Sequence, residues 1–156
     1  MEPKLNLSAY LLSILTEESS EIIKEIFINK TNNIFFNKDF IKETIDLIAI
    51  IDMLKTNNIV MYNTQKYDIE NIFDFKIELT NLIYIISKSL RFSLNDINPE
   101  TKIKNNDQLN LTCSKIYTFI LENININKKE IKLMKKEKIN KVEKFINYSK
   151  EKGTLI

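Results

Sequence analysis

The sequence predicts an all-α fold, a helical bundle of about five helices. Glycine occurs once and proline twice in 156 residues, which disfavours a turn-rich β architecture and favours long helices. Apolar residues recur at helical spacing in stretches that short polar breaks separate. Hydrophobic residues make up 44% and charged residues 28% of the chain, which is typical of a globular protein. We therefore expect a single domain, residues 1–156, with a sizeable core.

The first two predicted helices form a pair. The first begins near Asn6 or Ser8, both suitable N-caps, and runs to about Asn29. After a short polar break, the second follows Asn37 and ends at the asparagine pair 57–58. Its apolar residues lie nearly all round the helix, which predicts a central position in the bundle.

Three further helices are predicted in the rest of the chain. A polar and aromatic connection, residues 57–69, leads to a third helix at about 70–92, and turn signals follow at 95–99. The fourth helix is expected at about 107–122 and a Lys-rich fifth at about 128–150. One apolar stripe on the fifth helix predicts that it docks on the bundle and exposes a basic face.

Carboxylates occur at helical spacing on both helices of the first pair. Glu17, Glu18 and Glu21 form the pattern EExxE on the first helix, and Glu43 and Asp46 form ExxD on the second. Residues three or four positions apart lie on one side of a helix. These acids stand within apolar stripes, where a core-facing helix would usually have Leu or Ile. Antiparallel packing of the two helices would bring the acids together.

Such a cluster predicts a metal site. Buried carboxylates that lie close together repel one another, so they must be protonated, paired or bound to a cation. Carboxylate ligands without Cys or His suit Mg²⁺, and the chain contains no histidine and a single cysteine. The alternative is that these acids are ordinary solvated charges on helices.

The order EExxE then ExxD on consecutive helices resembles the signature of the all-α nucleoside triphosphate pyrophosphohydrolases, the MazG-like superfamily. The similarity covers about residues 7–57. It implies an enzyme of nucleotide metabolism that binds Mg²⁺, or Mn²⁺, and hydrolyses a nucleoside triphosphate to the monophosphate and pyrophosphate. It also implies that Glu17 is the catalytic base or a ligand to a further metal. The metal ligands that the resemblance implies are Glu18, Glu21, Glu43 and Asp46.

Residues 70–124 resemble an altered second copy of residues 7–57. In this alignment Glu78 takes the place of Glu18. The places of Glu21, Glu43 and Asp46 are taken by Asn81, Thr112 and Lys115, respectively. The first repeat would therefore hold the metal and the second would not, and the two repeats together would form a four-helix core.

Because it lacks the acids, the second repeat is expected to supply cations for the triphosphate. Residues 87–92 are similar to the S-K-A-L-R-F-G stretch of phage-type MazG-like proteins. Arg91 is the only arginine of the chain, and its planar guanidinium can bind phosphate through two parallel hydrogen bonds. The candidates for phosphate binding are Lys24, Lys42, Lys88 and Arg91.

The expected partner is a nucleoside triphosphate, and the oligomeric state is left open, a homodimer included. No signal peptide and no run of about 18 apolar residues is visible, so we expect a cytoplasmic protein without a membrane partner. A phage-encoded protein that acts inside its host cell is consistent with this expectation. The chain has no glycine-rich phosphate loop, which excludes the P-loop class. Neither the base nor the sugar preference can be read from the sequence.

Two other functions stay open. The first is a non-catalytic helical binding module of the same fold, since the second repeat has already lost its acids. The second is a nucleic-acid binder that uses residues 128–152, which contain ten Lys and four Glu. Interspersed acids and the lack of a base-reading motif make nucleic acid the less favoured partner.

Overall fold

The computed structural model describes residues 6–29, 32–92 and 98–155. These residues contain five α-helices, a single 3₁₀ helix and no β-strand, so the predicted all-α class is confirmed. The α-helices are α1 (Leu7–Asn29), α2 (Lys38–Thr56), α3 (Ile72–Phe92), α4 (Pro99–Asn123) and α5 (Lys128–Glu151). The 3₁₀ helix (Asn32–Phe36) lies between α1 and α2.

Asparagine side chains cap the helices of the first pair. The Asn6 carboxamide oxygen accepts a hydrogen bond of 2.7 Å from the Ala9 backbone N–H at the start of α1. Asn37 accepts from the backbone N–H groups of Asp39 and Phe40 at the start of α2. These bonds satisfy donors that a helix N-terminus leaves unpaired, which is why both helices begin where the sequence predicts.

The start of α4 differs from the prediction, because the helix begins at Pro99 rather than near residue 107. Asn98 caps it by accepting from the Glu100 N–H at 2.8 Å, and proline is well suited to the first helical position. The added turns are polar in sequence, yet Asn105 is buried and donates to the Ser89 hydroxyl of α3 at 2.7 Å. The predicted turn at 95–97 lies outside the described residues.

The helices of each predicted pair, α1 with α2 and α3 with α4, pack against each other. α1 contacts α2 and α3, α3 contacts α4, and α2 also contacts α5. α2 is central, since its apolar residues are buried on several sides, among them Ile45, Leu47, Ile48, Ile50 and Ile51. None of the helices in the described ranges combines the length and hydropathy needed to cross a bilayer.

A polar network holds α5 against the bundle. The Tyr62 hydroxyl donates to Asp52 Oδ1 at 2.7 Å, and the Tyr117 hydroxyl donates to Asp52 Oδ2 at 3.1 Å. Lys135 of α5 donates to the same Oδ2 at 2.9 Å. Burial raises the pKa of Tyr117 to about 12, so its hydroxyl stays protonated and can donate. This Asp52 network fixes the position of α5 relative to α2 and α4.

Cys113 is a core residue of α4. It is fully buried, and burial raises the pKa of its thiol to about 12. A thiol that stays protonated is a poor nucleophile, so Cys113 contributes packing.

Candidate metal centre

α1 and α2 bring three of the five predicted acids together, whereas Glu17 and Asp46 lie outside this group. Carboxylate oxygens of Glu18, Glu21 and Glu43 lie within 4.8 Å of one another. Asp46, one turn after Glu43, approaches the Lys138 ammonium to 4.0 Å, and the same ammonium also contacts Glu18. We call Glu18, Glu21, Glu43 and Asp46 the acid cluster.

The cluster lies at the edge of the core. Glu18 is only 7% exposed, Glu43 and Asp46 are partly buried, and Glu21 is exposed. Glu17, next to Glu18 on α1, is also exposed and lies outside the group of converging oxygens. The acids are therefore reachable from solvent on the Glu21 side and shielded on the Glu18 side.

This environment makes three of the acids hold their protons more tightly than free carboxyls. Burial is the main cause that raises the pKa of Glu18, of Glu43 and of Asp46. The pKa of Glu43 rises to about 7, because burial adds to the hydrogen bond and the charge of Glu21. Without a cation, Glu43 is thus close to half protonated at neutral pH.

Lys138 of α5 provides the positive charge nearest to these acids. Its ammonium donates to Glu18 Oε1 at 2.7 Å. Burial lowers the pKa of Lys138, but Glu18, Asp46 and Glu21 together outweigh burial and raise it. The ammonium therefore stays charged and partly neutralises the acid cluster.

One oxygen of the cluster is left without a partner. Glu18 Oε2 is buried and has no hydrogen-bond donor among the residues that the structure describes. A buried carboxylate oxygen without a donor is costly. The oxygen-only donor set, with one buried oxygen unsatisfied and a neighbouring carboxyl that is about half protonated near neutral pH, fits a divalent cation such as Mg²⁺.

A basic groove adjoins the acid cluster. It has a volume of about 170 Å³ between α2 and α5. Its charged lining residues are Lys42, Asp46, Glu137, Lys138 and Lys141. Three lysines against two acids leave a positive balance, and Asp46 and Lys138 belong to both the groove and the acid centre. An anion in the groove would therefore lie beside the carboxylates.

The four predicted phosphate-binding residues lie in different places. Lys42 lines the basic groove, whereas Lys88 lines a separate cavity between α3 and α4. Lys24 is exposed on α1. Arg91 is exposed at the end of α3, with its guanidinium carbon 5.7 Å from the centre of the Phe92 ring. The structure thus brings one of the four to the acid cluster.

Lys138 and Lys141 were missed by the sequence reasoning, which treated the lysines of the last helix as a solvated face. A signal for Lys138 was present. It stands four residues after Met134 and four before Val142, in the apolar stripe that faces the bundle. A lysine in such a stripe needs a buried partner, and Glu18 is that partner.

Comparisons with protein-family models, with curated proteins and with solved structures found no match to this chain. The resemblance to the MazG-like superfamily therefore stays a prediction from the EExxE and ExxD motifs.

Proposed function

We propose that this chain is a Mg²⁺-dependent nucleoside triphosphate pyrophosphohydrolase, which converts a nucleoside triphosphate and water to the monophosphate and pyrophosphate. One observation carries the proposal: converging carboxylate oxygens within 4.8 Å of one another adjoin a groove lined by three lysines. Enzymes that act on phosphoanhydrides need a metal ion held by acidic residues and, beside it, cationic side chains that bind the phosphates. The arrangement supports this activity over a purely structural acid cluster.

Glu18, Glu21, Glu43 and Asp46 would hold the cation, with Mn²⁺ as a substitute for Mg²⁺. When bound, a divalent cation supplies neutralising charge for phosphate oxygens and favours ionisation of water. The buried Glu18 oxygen that lacks a donor and the partly buried Glu43 are the groups that gain most from it.

The basic groove would bind the phosphates of the substrate. Lys42, Lys138 and Lys141 offer ammonium donors on flexible stems, which can follow a polyphosphate chain. Lys138 would exchange its bond to Glu18 for a bond to a phosphate oxygen, which frees the Glu18 carboxylate. Substrate binding and the opening of the acid cluster would thus occur together.

Glu17 would accept the proton of the attacking water. It is exposed beside the cluster, and no ion pair or hydrogen bond engages its side chain within the described ranges. An uncommitted carboxylate at the edge of the site can act as a general base. The water oxygen would form a bond to the α-phosphorus. The bond from the α-phosphorus to the oxygen that bridges the α- and β-phosphates would break, and pyrophosphate would leave with that oxygen.

The test is pyrophosphate release from a panel of canonical dNTPs, dUTP and NTPs, with Mg²⁺, with Mn²⁺ and with EDTA. We expect metal-dependent release by the wild type, and loss of at least about a hundredfold in the Glu21→Ala/Asp46→Ala variant. Glu122→Ala, which removes an exposed carboxylate from α4, is the matched control and should retain activity. No release from any nucleotide with either metal would contradict the proposal and favour the helical binding module.

A further inference from the structure

A second cavity lies between α3 and α4, and we call it the α3–α4 cavity. Its volume is about 340 Å³, twice the 170 Å³ of the basic groove. None of its lining residues belongs to the acid cluster or to the groove. Pockets that bind small organic ligands measure roughly 300–1,000 Å³, so this cavity can hold a ligand at the small end of that range.

The charges that line the cavity favour an anion. Lys88 and Lys115 face a single acid, Glu78. The Lys115 ammonium lies 3.6 Å from Glu78 Oε1, which is an ion pair too long for a good hydrogen bond. The Lys88 ammonium lies 4.5 Å from the centre of the Tyr84 ring and has no carboxylate partner within the described part of the chain. Both ammonium groups therefore keep donors for a ligand.

Neutral polar side chains that make no hydrogen bond to another described residue also line the cavity. The side chains of Asn81, Gln108 and Thr112 line it, and none of them makes a hydrogen bond to another described residue. A carboxamide offers a donor and an acceptor side by side, which matches the edge of a planar heterocycle such as a nucleic-acid base.

Apolar surface completes the lining. Tyr84 is 61% exposed and Leu111 is 46% exposed, and both border the cavity. Aromatic side chains that are exposed beside a polar pocket can stack on the face of a base. The combination of cations, carboxamides and an exposed aromatic ring therefore describes a ligand with a planar ring system and a negatively charged end.

We propose that the α3–α4 cavity binds a small aromatic phosphomonoester, of the nucleoside monophosphate class, without a divalent cation. A phosphomonoester carries a charge of roughly −1.5 to −2 at neutral pH, which two lysines opposed by one acid can balance. A triphosphate would bring more charge than these groups can neutralise. Glu78 alone does not make a metal site, and the Lys115 ammonium already stands beside it.

The site goes beyond the proposed hydrolysis and does not depend on it. The repeat alignment adds a reason for its presence. Glu78 and Lys115 stand at the places of Glu18 and Asp46. The second repeat therefore has a lysine where the first repeat has an acid, and this lysine supplies the positive charge that the first repeat would take from a metal.

The experiment is isothermal titration calorimetry of the full chain with a panel of nucleoside monophosphates and with inorganic phosphate, all in EDTA. We expect saturable binding of at least one nucleotide, and weaker binding of inorganic phosphate. Lys88→Ala and Lys115→Met should each weaken nucleotide binding about tenfold, because each removes a charged donor to the phosphate. Lys144→Ala, an exposed lysine of α5, is the control and should bind as the wild type does.

Gln108→Ala should weaken the preferred nucleotide and leave the affinity for inorganic phosphate unchanged, because it removes a contact to the base alone. Circular dichroism checks that each variant is folded, and the partly exposed Lys88 keeps the test valid if Lys115→Met unfolds. Three results would overturn the proposal: no saturable nucleotide binding, equal affinity for inorganic phosphate, or affinities unchanged in Lys88→Ala. A loss of nucleotide affinity in Lys42→Ala as large as in Lys88→Ala would assign binding to the basic groove and would overturn it as well.

Discussion

Replacing Lys138 by methionine should destabilise the metal-free protein and tighten its binding of Mg²⁺. The change keeps most of the side-chain length and removes the ammonium that donates to Glu18 at 2.7 Å and approaches Asp46 to 4.0 Å. Removing one partner of a fully buried ion pair costs about 3–5 kcal/mol. Lys138 and Asp46 keep some contact with solvent, so we expect a loss of about 2–3 kcal/mol, or roughly 5–10 °C in the melting temperature.

The size of the loss should depend on pH. The raised pKa values of Glu18, Glu43 and Asp46 mean that these carboxyls take up protons when the pH falls towards acid values. Protonated carboxyls need no ammonium, so Lys138→Met should lose less at about pH 5.5 than at about pH 8. Differential scanning calorimetry in EDTA at both pH values measures the effect. Lys136→Met, an exposed lysine two residues away, is the control.

Mg²⁺ affinity is the second measurement. In the wild type a cation has to displace the Lys138 ammonium from Glu18, whereas in Lys138→Met it meets free carboxylates. We expect calorimetric titration to give about tenfold tighter binding in the variant. Melting temperatures that equal those of the wild type at both pH values, with the same Mg²⁺ affinity, would refute the reasoning, because Lys138 would then not neutralise the acids.

Three further changes probe the site and the fold. Glu43→Gln should stabilise the metal-free protein by about 1–2 kcal/mol above pH 7, after solvent screening, and should lose this advantage below the ordinary carboxyl pKa of 4.5. The reason is that Glu43 has a pKa of about 7 in the folded wild type, so the folded protein takes up a proton between these pH values that the unfolded chain does not. Urea unfolding across this pH range measures the difference, and stability curves of wild type and variant that run parallel would contradict it. Asp52→Ala should lower the free energy of unfolding in urea by about 2–3 kcal/mol, because two tyrosine hydroxyls and the Lys135 ammonium lose their carboxylate acceptor. Tyr62→Phe should lower it by only about 1 kcal/mol, and equal losses would argue against the Asp52 network. Asn98→Ala should cost about 1 kcal/mol through loss of the α4 cap, and Asn98→Ser should restore most of it; a melting temperature unchanged in Asn98→Ala would show that the cap does not stabilise α4.

Local patterns in the sequence were sufficient for α1 and α2 and for the convergence of three of their acids. Helix-spaced carboxylates in apolar stripes on α1 and α2 predict that these residues converge, because two paired helices must face each other along those stripes. Oxygens of Glu18, Glu21 and Glu43 do converge. The caps at Asn6 and Asn37 are likewise local features, since each side chain bonds to backbone two or three residues later.

Contacts between distant parts of the chain could not be read in the same way. Glu18 and Lys138 are 120 residues apart; the apolar stripe of α5 marks Lys138 among the ten lysines in residues 128–152, but no local pattern tells which acid it would reach. The early start of α4 was missed for a related reason, because the polar Asn105 is buried only through its bond to Ser89 of α3. The rarity of Arg91 says nothing about its location, and the side chain is exposed.

The attachment of α5 has a consequence for the order in which the protein can be completed during synthesis. Lys135 and Lys138 lie one turn apart and bind Asp52 and Glu18 of two other helices, so a helix that leaves the ribosome after α1 to α4 supplies both bonds. Until then, the acids of α1 and α2 repel one another without their ammonium. The first helix pair of a nascent chain should therefore close fully only after residue 138 has emerged, or earlier if a cellular cation takes the place of the lysine.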